Sequence, residues 1–204
     1  MILQGTTLAG ARPTLRPDSR MIRIPKRGTP MGHLLTNDEI RLLTEEFYAA
    51  WNRRDPAGIV AFATEDVEFW GPPLDPVRRG REEIQTMIAG FFRAMPDMTV
   101  EVVGDPMVSL DRTRVAVEWR TEGTFTGPMD PPGLSPTGTL LHDHGVDVLE
   151  LEEGKIHRWV MAFDMMGLAR QAGAVPVQGS MADRMGLRMQ RRTAARMRKR
   201  AASR

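Results

Sequence analysis

The chain has 204 residues, enough for one well-cored domain with tails. It is 41% hydrophobic but has no apolar run near the roughly 18 to 20 residues that cross a bilayer. Cysteine is absent, which excludes disulfides, thiolate metal sites and a cysteine nucleophile. The formal net charge of +2 hides an asymmetry: residues 1–30 carry six basic groups against one acid, residues 178–204 carry nine against one, and the stretch between carries thirteen against twenty-four. An acidic middle disfavours a groove that tracks phosphates, so no nucleic acid is expected for the core, and any nucleic-acid or membrane affinity belongs to the tails. The first residues lack the basic and apolar regions of a secretory signal, and the cytoplasm is the expected location.

Residues 1–33 mix Gly, Pro and Arg without periodicity and read as a flexible basic arm, with Met21 or Met31 as an alternative start. In TNDEIRLLTEEFYAAWNRRD, Thr36 and Glu39 have the spacing of a capping box, each side chain satisfying the other's free backbone donor. Ile40, Leu43, Phe47, Ala50 and Trp51 then recur at helical spacing and predict an amphipathic helix. DPAGIVAFATED sets Asp55 as a cap and Pro56 at the first helical position, where a missing N–H leaves no bond unmade, so a short second helix is expected. VEFWG, 67–71, reads as a strand, and PPLDPVRRG as a loop into a third helix, REEIQTMIAGFFRAM, stopped by Pro96. From there the period becomes two. MTVEVVGDPMVSL, RVAVEWRTEGTF, TLLHDHGVDVLELEE and KIHRWVMAFD predict four strands, and MMGLARQAG predicts a closing helix ending at Gly173. Helices followed by a run of antiparallel strands predict an α+β fold. Residues 34–175 form the expected domain and 176–204 a basic tail, disordered or helical, whose Met181, Met185, Met189 and Met197 share a helical stripe among arginines.

The stretch HDHGVD, 142–147, concentrates candidate chemistry. On a strand His142 and His144 point to one side, together with Glu150, and Asp143 and Asp147 to the other. A His-x-His pair can hold a metal, but here the next carboxylate of matching parity lies six residues on, and no metal is expected. Three readings stay open for the histidines: metal ligands, hydrogen-bonding partners of a substrate carbonyl, or plain surface residues. On the Trp119 strand, Val115, Val117, Trp119 and Thr121 form the apolar face, lining a cavity or filling a core.

Taken together, the Trp-x-x-x-Gly-Thr strand (VAVEWRTEGTF), the Pro-Thr-Gly entry to the next strand, the Gly-Lys-Ile turn and the closing Asp-x-x-x-Leu-x-x-Gln-x-Gly resemble the SnoaL-like polyketide cyclase family of the nuclear-transport-factor-2-like superfamily. The resemblance implies a cone-shaped α+β barrel with helices packed in a curved, mostly antiparallel sheet around a pocket. It implies an aspartate acid/base for intramolecular aldol condensation, placed here at Asp164, and no cofactor. Where the family often has His after Gly-Thr, this chain has Phe125.

Asp164 has a second reading, as the N-cap of the closing helix. His144 and His142 are the expected polar partners of Asp164, and Trp51, Trp70, Phe91, Trp119 and Phe125 the expected pocket wall, with core packing as the alternative for the aromatics. The expected function is a cofactor-free cyclase or isomerase acting on a carbonyl-rich, apolar small molecule such as a polyketide intermediate, in a homodimer. The alternative is a non-catalytic cone that binds a small molecule or serves only for dimerisation. What separates the two is whether Asp164 points into an enclosed pocket beside a second polar group.

Overall fold

The computed structural model describes residues 34–202 except 73–76 and 131. The arm expected over residues 1–33 and most of the loop after Gly71 lie outside the described residues. The elements run α1 (Asn37–Asn52), α2 (Pro56–Ala61), β1 (Ala63–Trp70), β2 (Arg78–Arg79), α3 (Arg81–Ala94), β3 (Thr99–Val102), β4 (Met107–Val108), β5 (Arg114–Thr124), β6 (Leu140–Glu152), β7 (Lys155–Phe163), α4 (Met165–Gln171) and α5 (Met181–Ala202).

The starts of α1 and α2 follow from their sequence. Thr36 Oγ1 accepts from the Glu39 N–H at 3.2 Å while Glu39 Oε2 accepts from the Thr36 N–H at 2.7 Å, the reciprocal pair expected of a capping box. Asp55 accepts from the Gly58 N–H at 2.9 Å with Pro56 inside the first turn. Helix α1 buries Ile40, Phe47, Tyr48, Ala50 and Trp51. Its end is tied to the sheet by Asn52, whose Nδ2 donates to the Val100 carbonyl at 2.9 Å and whose Oδ1 accepts from the Val100 N–H at 2.8 Å. This pairing copies a strand ladder and fixes how far the helix penetrates.

One sheet runs in the order β2-β1-β7-β6-β5-β3, with β4 on the side of β5. All pairings are antiparallel except β1 with β7, which is parallel. The mixed α+β architecture with a curved open sheet matches the expectation, with three local differences. MTVEVVGDPMVSL is two strands rather than one, because Gly104 takes φ of 74° and Pro106 cannot donate to a ladder. The first strand begins four residues earlier than VEFWG, and the short β2 was not foreseen.

The long strands set the chemistry through parity. On β6 the inward positions are Leu141, Asp143, Gly145, Asp147 and Leu149, and the fully buried Leu141 and Leu149 identify that face as the inner one. In the β5–β6 register Asp147 sits opposite Val117 and Asp143 opposite Thr121, so the inner faces of the two strands coincide.

Candidate active site

Between the sheet and helices α1, α3 and α4 lies a cavity of about 90 Å³ whose wall is almost wholly apolar. Five methionines, Met95, Met98, Met129, Met161 and Met165, contribute to it. Unbranched thioether chains repack readily, so this wall can yield to a guest larger than the resting space.

Into this apolar space β6 places a deeply buried carboxylate. Asp147 is only 1% exposed, and both of its oxygens are held: Tyr48 Oη donates to Oδ2 at 2.6 Å and Trp159 Nε1 donates to Oδ1 at 2.9 Å. Burial pushes its carboxyl from an ordinary 3.8 up to about 6, against the opposing pull of the Trp159, Tyr48 and Trp119 donors. Trp119 Nε1 is near enough to favour the anion but lies outside hydrogen-bonding geometry, and it is buried without an acceptor. Burial, the Asp147 charge and their mutual hydrogen bond hold Tyr48 well above its usual range, so it remains a proton donor.

The two donors are rigidly supplied. Tyr48 rides on the buried face of α1. Trp159 meets Phe69, Phe47 and Trp51 edge-on, at centroid separations of 4.9, 5.2 and 6.0 Å. Such T-shaped packing leaves one orientation for the indole, with its N–H toward Asp147.

A second carboxylate, Asp143, lines the cavity four residues back on the same face, about 13 Å away along the strand. It is half-buried and accepts from the His144 N–H at 2.8 Å. Burial raises its carboxyl, while the His144 N–H and ring pull down and the nearby Asp164 charge pushes up.

The residues singled out from sequence divide as follows. Trp51, Phe91 and Trp119 line the cavity. Phe125 is fully buried in the core and Trp70 half-buried, and neither is among the lining residues. Asp164 is exposed and accepts from the Gly167 N–H at 2.8 Å, so it is the N-cap of α4 and not a cavity group. His142 and His144 are exposed on the outer face of β6, with His142 Nδ1 at 3.5 Å from Glu122. The polar group that shares the cavity is thus neither Asp164 nor a histidine, because odd positions of β6 face inward and His142 and His144 are even. Among the described residues no group of three His, Asp or Glu side chains is placed to hold a metal ion.

The closing motif has a mechanical role. Asp164 starts α4, Leu168 faces the cavity, and Gln171 bonds the His142 backbone through both its amide atoms at 2.8 and 2.9 Å. Gly173, at φ of 74°, ends the helix. Helix α4 is thereby fastened across one side of the cavity.

Sequence reasoning missed Tyr48, the only tyrosine in the chain, and gave Asp147 no role. The signal was present: Asp147 has the parity of Leu141 and Leu149, and an aspartate flanked by leucines on one face of a strand is a buried aspartate.

The profile of the SnoaL-like polyketide cyclase family matches residues 41–172. The chain belongs to this family. Solved structures agree: AclR of Streptomyces galilaeus, a candidate hydroxylase, is 27% identical over 70% of this chain and 89% of its own, with a TM-score of 0.60. SalBIII, an epoxide hydrolase/cyclase-like enzyme with a role in pyran ring formation in the polyether salinomycin, is 26% identical over 65% of this chain and 97% of its own, at 0.53. A SnoaL-like protein from Jannaschia is 19% identical over 73% of this chain and 100% of its own, at 0.60, and shows the fold alone. Among curated proteins no match was found. No described helix is long and apolar enough to cross a membrane.

The raised carboxyl has a consequence for stability. A carboxyl held higher in the folded chain than in the unfolded one favours folding fully below pH 3.8, and that contribution is lost as pH rises through 6. The span corresponds to about 3 kcal/mol at 1.36 kcal/mol per pH unit. Asp147→Asn keeps the shape and can still accept from Trp159, but it does not titrate. Urea denaturation at pH 4 and pH 7.5 should therefore show native stability falling relative to the variant by about 2 kcal/mol, since part of the contribution is already lost at pH 4. Parallel pH dependence in the two proteins would mean the carboxyl is not raised.

Proposed function

We propose that this SnoaL-like protein is an acid/base enzyme in which Asp147 moves a proton at a carbon next to a carbonyl in an apolar small molecule, as in ring closure of a polyketide-like chain by aldol condensation. The observation that carries the reading is a fully buried carboxylate raised to about 6 in an apolar cavity and held at both oxygens. A base poised near neutral pH has both the right protonation state and useful basicity. Tyr48 and Trp159 occupy two of the roughly four lone-pair sites of the carboxylate, leaving others to receive the proton.

In this mechanism Asp147 takes the α-proton, and the unpartnered Trp119 N–H beside it is the nearest donor for the developing enolate oxygen. The enolate carbon then attacks a second carbonyl of the same chain, and the proton on Asp147 returns to the new alkoxide. The apolar methionine wall excludes water that would protonate the enolate early. Neither a metal nor an organic cofactor enters these steps.

The non-catalytic reading is a cavity that holds an apolar guest without proton transfer. The two are separated with 2-tetralone, a bicyclic ketone whose C1 protons are both benzylic and alpha to the carbonyl. Its exchange with D2O, followed by NMR, should be accelerated by the protein. The rate should climb tenfold per pH unit below about pH 6 and level off above it, as Asp147 ionises. No acceleration, or a pH profile without a break near 6, sinks the acid/base reading.

A further inference from the structure

Helix α5 is the largest feature the cavity chemistry leaves unused. Its 22 residues bury no side chain, and Met181, Met185, Met189 and Met197 are each more than 60% exposed. A helix that buries none of its side chains among the described residues gains little beyond its own marginal stability in water, so most of its surface is open to a partner. Its start is set by Ser180 and Asp183: the Asp183 N–H donates to Ser180 Oγ at 3.2 Å, and the Gly179 N–H donates to Asp183 Oδ2 at 2.9 Å.

The arrangement of charge selects among partners. From Arg188 to Arg200, seven of thirteen residues are basic and none is acidic, over a helical length of about 18 Å. A helix that lies on a bilayer keeps its cations on one face and aromatic or leucine anchors on the other. Here Arg192, Arg196 and Lys199 fall within about 20° of the line that carries Met181, Met185 and Met189, so the apolar stripe is overwritten by cations in the second half. No aromatic residue occurs anywhere in α5. Arg191 and Arg198 project about 100 to 160° away from Arg192 and Arg196, so the cations spread over about 200° of the circumference, and the remaining sector holds Gln190, Thr193, Ala194 and Met197 with no leucine or aromatic anchor. A cationic arc this wide, with no anchors for a bilayer opposite it, is matched by a partner that presents anions on both flanks of a helix. The major groove of duplex DNA does so: it is about 12 Å wide, it admits an α-helix, and phosphates line both walls.

We infer that α5 is a sequence-independent docking element for duplex DNA, held through the phosphates by the cations between Arg188 and Arg200. The acidic middle of the chain keeps the cone itself off the polyanion, so binding resides in the tail and does not depend on the cavity chemistry.

The test is fluorescence anisotropy with a labelled 20-base-pair duplex of mixed sequence at 50, 100 and 200 mM NaCl. It compares the full chain, a chain ending at Ser180, and a full chain carrying R191Q, R192Q, R196Q and R198Q, which preserves helix propensity. With about six phosphates contacted, log affinity should fall with log salt at a slope of about −5. The four glutamines should flatten that slope by about 3 and weaken binding at least tenfold at 50 mM NaCl, and the chain ending at Ser180 should lose binding altogether. The inference is overturned if the full chain does not bind, if the shortened chain binds with an unchanged slope, or if vesicles containing 30% phosphatidylserine bind the full chain while the duplex does not. Exchange of 2-tetralone should be the same in all three proteins, so failure here is separate from failure of the Asp147 mechanism.

Discussion

Asp147→Asn should reduce the protein-catalysed exchange of 2-tetralone by about 10²- to 10⁴-fold, the usual worth of a positioned general base, while leaving a folded protein. The side chain is the only wall group with both oxygens fixed by buried donors, and asparagine matches its shape. An amide oxygen can accept from Trp159, and the amide nitrogen can donate to the Tyr48 hydroxyl, which then turns its own proton away. What disappears is the basic lone pair. Asp164→Ala is the informative companion, because that carboxylate caps α4 from the exposed side and does not line the cavity. It should slightly destabilise α4 and leave the exchange rate within about threefold of native. If Asp164→Ala were the silent enzyme and Asp147→Asn the active one, the acid/base assignment would return to the closing motif. Loss of activity in both would point to α4 as the element that shapes the cavity.

The contrast between those two aspartates shows where sequence reading reaches and where it stops. Local signals carried well: the Thr36–Glu39 capping box, the Asp55–Pro56 start and the long period-two strands β5, β6 and β7 stand where spacing put them. Motifs carried the family, and in the closing one Gln171 makes a tie to β6 and Gly173 ends the helix. The chemistry was harder because it depends on which face of β6 turns inward. HDHGVD places histidines on one side and aspartates on the other. Histidine draws attention as a proton carrier, yet Leu141 and Leu149 mark the aspartate side as buried. Tyr48 was invisible for another reason: its partner lies 99 residues away, and only the packing of α1 into the sheet brings the hydroxyl to Asp147. Asp164 has the ordinary sequence signature of a cap, and that is what it is.

Gly145→Val should be strongly destabilising, costing about 3 kcal/mol and lowering Tm by roughly 6 to 12 °C in calorimetry. Gly145 stands between the two inward aspartates of β6, at the point where the indole of Trp119 crosses the strand. A Cβ there would lie 2.4 Å from the Ala162 carbonyl oxygen and 2.6 and 2.8 Å from two ring carbons of Trp119. The carbonyl belongs to β7 beside the β6–β7 ladder and cannot retreat without disturbing it. Trp119 is 6% exposed, leans on Phe163 at a centroid separation of 6.4 Å and forms part of the cavity wall, so a shift of its indole reshapes that space. The substitution therefore forces either the ladder or the indole to move, and valine's branching removes the rotamers that could soften the contact. Gly186→Ala is the control, since nothing lies within 4 Å of a Cβ at that position, and its Tm should match the native protein within about 1 °C. Displacing Trp119 also takes its N–H from beside Asp147, so a Gly145→Val protein held folded at low temperature should exchange 2-tetralone more slowly than native. A variant that melts with the native protein would mean that the indole and the strand are free to part, and the rigid donor beside Asp147 would go with them.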